Sequence, residues 1–144
     1  MQNFMTAQQV FDTVREHLLS MDGPALGPDT NDCAYRGENG SRCAIGRLID
    51  DEHYCADMEG ATIDDPYPDR DEDPDAEPVG VELVWDALYA SGVDVSRDLD
   101  LLTELQRAHD ADHLSRNASS AQWKAHVRRE LGRIAHEYKL KIPR

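Results

Sequence analysis

Apolar positions recur at three- and four-residue spacing in four stretches of the chain, each bounded by residues that start or stop helices. Val10, Phe11, Val14 and Leu18 fall on one face of a helix predicted over Thr6 to Met21. Thr6 serves as its N-cap, Gln9 completes a capping box, and Asp22-Gly23-Pro24 ends it. Val81, Val84, Trp85, Leu88 and Tyr89 mark a second helix over Val79 to Ser91, closed by Gly92. Ser96 is expected to cap a third, in which Leu99, Leu102, Leu105 and Ala108 face the core up to about His113. Ser119 and Gln122 form another capping box ahead of the last helix, whose stripe is Trp123, Val127, Leu131, Ile134, Ala135 and Tyr138.

The intervening regions carry different signals. Residues 22–32 are rich in Pro, Gly and Asp and read as a loop. Asn39-Gly40 is a tight-turn pair that could close a short hairpin onto Cys43-Ala44-Ile45. Arg42 to Ile49 also fits a short helix, with Ala44, Ile45, Leu48 and Ile49 on one face, and turn followed by helix is the favoured reading. Residues 50–78 contain Pro66, Pro68, Pro74 and Pro78, which exclude helix and central strand from their second half. The expected fold is therefore mainly α. It has about four helices in one compact domain over residues 1–144, a turn or hairpin region near 33–49 and an exposed acidic loop at 50–78.

Charge sharpens that picture. Residues 50–77 hold thirteen carboxylates and one cation, Arg70, a local net charge of −12 in a chain whose total is −14. Burying so much like charge would need large desolvation, so this segment should face water or a cationic partner. The last helix has the opposite character, with a net charge of +5 over residues 124–144. A loose association between the two is one reading; surface pairs of this kind contribute about 0–1 kcal/mol each. The overall acidity disfavours direct nucleic-acid binding, which needs Lys and Arg to displace counterions. With 144 residues, a conventional core can form without staples. Three cysteines, an odd set, argue against a disulfide framework. The amino-terminal residues show no signal-peptide pattern and no stretch has the length of a membrane span, so a cytoplasmic location in a bacterial host cell and no membrane partner are expected.

Cys33-Ala34-Tyr35-Arg36-Gly37, Arg42-Cys43-Ala44-Ile45-Gly46-Arg47-Leu48-Ile49, Tyr54, Met58-Glu59-Gly60, Leu102-Thr103-Glu104-Leu105-Gln106 and His109-Asp110 together resemble a group of small phage and prophage proteins. The resemblance spans most of the chain outside residues 64–78. It implies a setting among accessory genes for host takeover or counter-defence, and it assigns no catalytic residue.

Several constellations could carry chemistry. The alternating acids from Asp69 fail the calcium-loop pattern, because Pro74 occupies the sixth position where that loop needs Gly. On a helix, His109, Asp112 and His113 would converge on one face and could hold zinc or another divalent metal, with Asp110 beside them. Cys33, Cys43, His53 and Cys55 are a second possible zinc set, although they lack the close Cys pair of a zinc knuckle; buried cysteine is the commoner fate. No nucleophile elbow or glycine-rich phosphate loop is present.

The functional expectation is a non-enzymatic phage or mobile-element accessory protein with no cofactor, an inhibitor or modulator in an anti-CRISPR-like role. Its acidic surface would imitate nucleic acid and bind a basic host or defence nucleoprotein through Asp50, Asp51, Glu52, Asp64, Asp65, Asp69, Asp71, Glu72, Asp73 and Asp75. The alternative is a small metal-binding protein or metal-dependent hydrolase built on His109, Asp110, Asp112 and His113.

Overall fold

A computed structural model describes residues 3–27, 33–67, 74–75, 77, 79–111, 114 and 118–142. The elements are α1 (Ala7–Ser20), α2 (Ala44–Leu48), α3 (Gly80–Ala90), α4 (Val95–Asp110) and α5 (Ser120–Glu137). Three short 3₁₀ turns accompany them, at Glu38–Gly40, Asp51–His53 and Ala56–Met58. The protein is mainly helical, and among the described residues the only β pairing is an isolated antiparallel bridge between Leu26 and Cys33.

The capping signals of α1 and α5 act as the spacing predicts. Thr6 Oγ1 accepts from Gln9 N–H while Gln9 Oε1 accepts from Thr6 N–H. Ser119 and Gln122 repeat that exchange. Helix α4 differs from expectation. It begins two residues earlier, capped by Asp94, whose carboxylate accepts Arg97 N–H, and Ser96 is not the cap but donates its hydroxyl to Asp94. Val95 joins the inner face, where Leu101, Leu102, Leu105 and Ala108 are buried and Leu99 is half-buried against the core. The same helix stops at Asp110, where Ala111 takes a left-handed conformation, rather than continuing to His113.

Turn followed by helix is the outcome around residue 40. Asn39 and Gly40 both adopt positive φ, and α2 follows three residues later. Five residues are too few for a helix to stand alone, and α2 is held at both ends by side chains outside it. At its start, Cys43 Sγ accepts Gly46 N–H and Gln106 Oε1 from α4 accepts Ile45 N–H. At its end, the Arg36 guanidinium donates to the carbonyls of Gly46 and Ile49 at 2.7 and 2.8 Å. Gly46 is required, because a Cβ there would collide with the Tyr35 carbonyl.

The core is a continuous cluster in which α1 supplies Val10, Phe11, Val14 and Leu18, α2 Ile45 and Leu48, α3 Val84 and Leu88, and α5 Trp123, Val127, Leu131 and Ile134. The acid-bearing segment also contributes to it. Met58 and Ile63 are buried among these residues, so the stretch from 50 to 67 is tacked down at two points.

Candidate functional site

Glu59 organises the acidic segment, because this carboxylate is turned into the protein. Its Oε1 accepts Tyr35 N–H at 2.9 Å, and its Oε2 accepts Arg36 N–H at 3.1 Å and the Tyr54 hydroxyl at 2.7 Å. Arg36 stacks over the Tyr54 ring, 4.8 Å from its centroid, and reaches Asp51 Oδ1. Burial pushes the Tyr54 phenol up to about 12, with the hydrogen bond to Glu59 adding to the shift. Tyr35 donates its hydroxyl to the Ala61 carbonyl, and its phenol is raised further, chiefly by burial. These contacts join residues 35–36 to residues 51–61 and fix the backbone that carries the acids.

Further along, Asp65 closes a turn on Thr62, accepting its N–H at 2.8 Å and its hydroxyl at 2.7 Å. Trp85 Nε1 donates to the Ile63 carbonyl and its indole lies against the Tyr67 ring, with centroids 4.8 Å apart. On this frame Asp50, Asp51, Glu52, Asp57 and Asp64 are exposed. Asp75 is exposed as well. Asp69, Asp71, Glu72 and Asp73 lie outside the described residues. Asp51 is partly neutralised by Arg36 and Arg42, at 3.0 and 3.1 Å, and Asp64 approaches Arg107 at 3.7 Å. The basic last helix is engaged elsewhere: Arg133 pairs with Glu104 of α4 at 2.5 Å and with Glu130 and Glu137, and Lys124 pairs with Asp22. Among the described residues, no ion pair joins the acidic segment to α5.

Of the proposed metal ligands, Asp112 and His113 lie outside the described residues, and His109 is completely buried. Ala25 N–H donates to His109 Nε2 at 2.9 Å, so that nitrogen is the acceptor, and Nδ1–H must then be the donor to Asp110 Oδ1 at 2.9 Å. This is a neutral imidazole with both nitrogens in use, and its backbone carbonyl accepts from Trp123 Nε1. Gln106 Nε2 donates to the same Asp110 oxygen at 2.6 Å. Cys33, His109 and Asp110 have ligand-type atoms within 4.8 Å of one another, as do Asp50, Glu52 and His53. No such group unites Cys33, Cys43, His53 and Cys55. Cys43 is buried and its thiol is pushed up to about 12 by desolvation, whereas Cys55 is exposed.

The Arg36–Glu59–Tyr54 knot and the Gln106–Asp110–His109 relay were not evident in the sequence. Gln106, His109 and Asp110 are neighbours on α4, but Tyr35 and Arg36 lie 24 and 23 positions from Glu59 and Ala25 lies 84 from His109, distances no local pattern spans.

Compared with protein-family models, curated protein sequences and solved structures, the chain matches none. No helix among the described residues is long and apolar enough to cross a membrane.

Proposed function

We propose that this is a non-enzymatic accessory protein of phage or mobile-element type, an inhibitor or modulator that occupies a cationic groove on a host or defence nucleoprotein in place of nucleic acid. The observation that carries the reading is the anchoring of residues 50–67: Met58 and Ile63 are buried and Glu59 is bonded inward, while neighbouring carboxylates point to solvent. A loop that had to be ordered on binding would lose affinity to conformational entropy, whereas carboxylates held on a fixed frame meet a row of cations without that loss. Complementary charge would also speed encounter and make binding salt-sensitive.

The test separates binding charge from structural charge. Asp50, Glu52 and Asp75 are exposed and outside the Glu59 knot and the Thr62–Asp65 turn, so all three are changed to Lys together. A partner captured from bacterial lysate by the parent protein should be displaced by duplex DNA and by salt, and the threefold variant should fail to capture it while melting like the parent. Retention of the partner by the variant, or simultaneous binding of DNA and this protein at the same groove, would refute the proposal.

A further inference from the structure

A cavity of about 440 Å³ lies between α4, the turn at residues 60–64 and the Cys33–Tyr35 segment, with Asp64 the one outward acid on its rim. Its volume is in the range of small-molecule sites. Two charged side chains reach it from one face of α4, Asp110 and, one turn before it, Arg107. Residues three apart on a helix are neighbours, with Cβ atoms roughly 5–6 Å apart.

Asp110 is held in place by hydrogen bonds that end on backbone at both sides. Ile45 N–H donates to Gln106, Gln106 donates to Asp110 Oδ1, His109 Nδ1–H donates to the same oxygen, and Ala25 N–H donates to the far side of His109. Among the described residues both protein donors fall on Oδ1, so Oδ2 is the oxygen with capacity left for a ligand in the cavity that Asp110 lines. Because Ala25 N–H fixes His109 as a neutral imidazole with its proton directed at Asp110, the relay orients a carboxylate and has no proton to exchange with a ligand. A cation at His109 would have to displace a backbone N–H, so an organic ammonium on Oδ2 fits this arrangement better than a metal ion. Arg107 is mostly exposed at the mouth and its contacts are long, 3.7 Å to Asp64 and 3.4 Å to Glu104, so its guanidinium retains donors for a carboxylate. Between and beyond these charges the wall is formed by Tyr35, Ala61, Ile63 and Cys33.

We propose that this cavity binds a small zwitterion of the α-amino-acid class, its ammonium on Asp110 Oδ2, its carboxylate on Arg107 and its side chain along Ile63 and Ala61. The site shares only Asp64 with the acidic face, and the Lys variant that tests that face leaves Asp64 in place, so either reading can fail without the other.

The test titrates the full chain by calorimetry with each standard L-α-amino acid, and with isoamylamine and 4-methylpentanoate as the single-charge counterparts of leucine. At least one amino acid of apolar side chain should bind, and removing either charge from the ligand should weaken binding roughly tenfold or more. Asp110→Asn retains an acceptor for Gln106 and His109 at Oδ1 and replaces Oδ2 with a donor, so it should abolish binding while leaving the helical circular dichroism intact. Arg107→Gln, at an exposed position, should weaken binding by a similar factor and provides a second variant whose folding is not in question. Absence of binding by every amino acid, equal binding of isoamylamine and leucine, or full binding by Arg107→Gln would each overturn the proposal.

Discussion

Glu59 and Asp57 lie two residues apart in the same acidic run and should behave oppositely on truncation. Glu59→Ala removes the acceptor for two backbone N–H groups and one phenol, at 2.9, 3.1 and 2.7 Å. A hydrogen bond to a charged group contributes about 1.5–3 kcal/mol. Three such bonds are not lost in full, because Glu59 is half-buried and water can reach part of the gap. A net loss of about 2–4 kcal/mol remains, a large part of the ~5–15 kcal/mol typical of a whole domain. For a chain of this length that corresponds to a fall in Tm of about 5–15 °C. Asp57 is exposed, and Asp57→Ala should fall within about 0.5 kcal/mol of the parent. Urea unfolding followed by circular dichroism at constant m compares the two. If both variants unfold at the parent's midpoint, Glu59 is one more solvated acid and the segment is not anchored as described.

Other consequences can be measured in the same way. Gly46→Ala places a methyl against the Tyr35 carbonyl and should destabilise by about 3 kcal/mol or more, read as a collapse of the melting transition or loss of soluble protein. Ser119→Ala deletes the N-cap of α5 and should lower stability by about 1 kcal/mol in urea titration; no change would mean the α5 capping box contributes nothing. In thiol titration of the native protein Cys55 should react promptly and Cys43 only after unfolding, because Cys43 is buried with its thiol near 12; fast reaction of Cys43 would refute that environment. The same shift makes stability pH-dependent. The unfolded thiol loses its proton near 9 and the folded one near 12, so the contribution of Cys43 is complete below pH 9 and declines as pH rises toward 12; Cys43→Ala should flatten the alkaline limb of a stability profile.

The sequence by itself determined the helices whose signals are local. The capping boxes at Thr6 and Ser119 act across three residues, and the stripes of α1 and α5 repeat within a turn, so any neighbourhood of ten residues contains the information. For α4 the same reasoning placed the helix and its inner face and missed its cap. Asp94 and Ser96 are both good caps by type; the structure uses Asp94, which accepts Arg97 N–H, and buries Val95 in the first turn. The acidic run was legible as outward charge because its net value cannot be desolvated, yet thirteen carboxylates of one chemical kind carry no mark of which is structural. Only the tertiary structure decided that Glu59 turns inward to Tyr35, Arg36 and Tyr54, and that Gln106, Asp110 and His109 join into a relay that ends at Ala25. A polar side chain's role is set by which unpaired donors the fold brings within about 3 Å of it, and those donors belong to segments that folding alone makes neighbours.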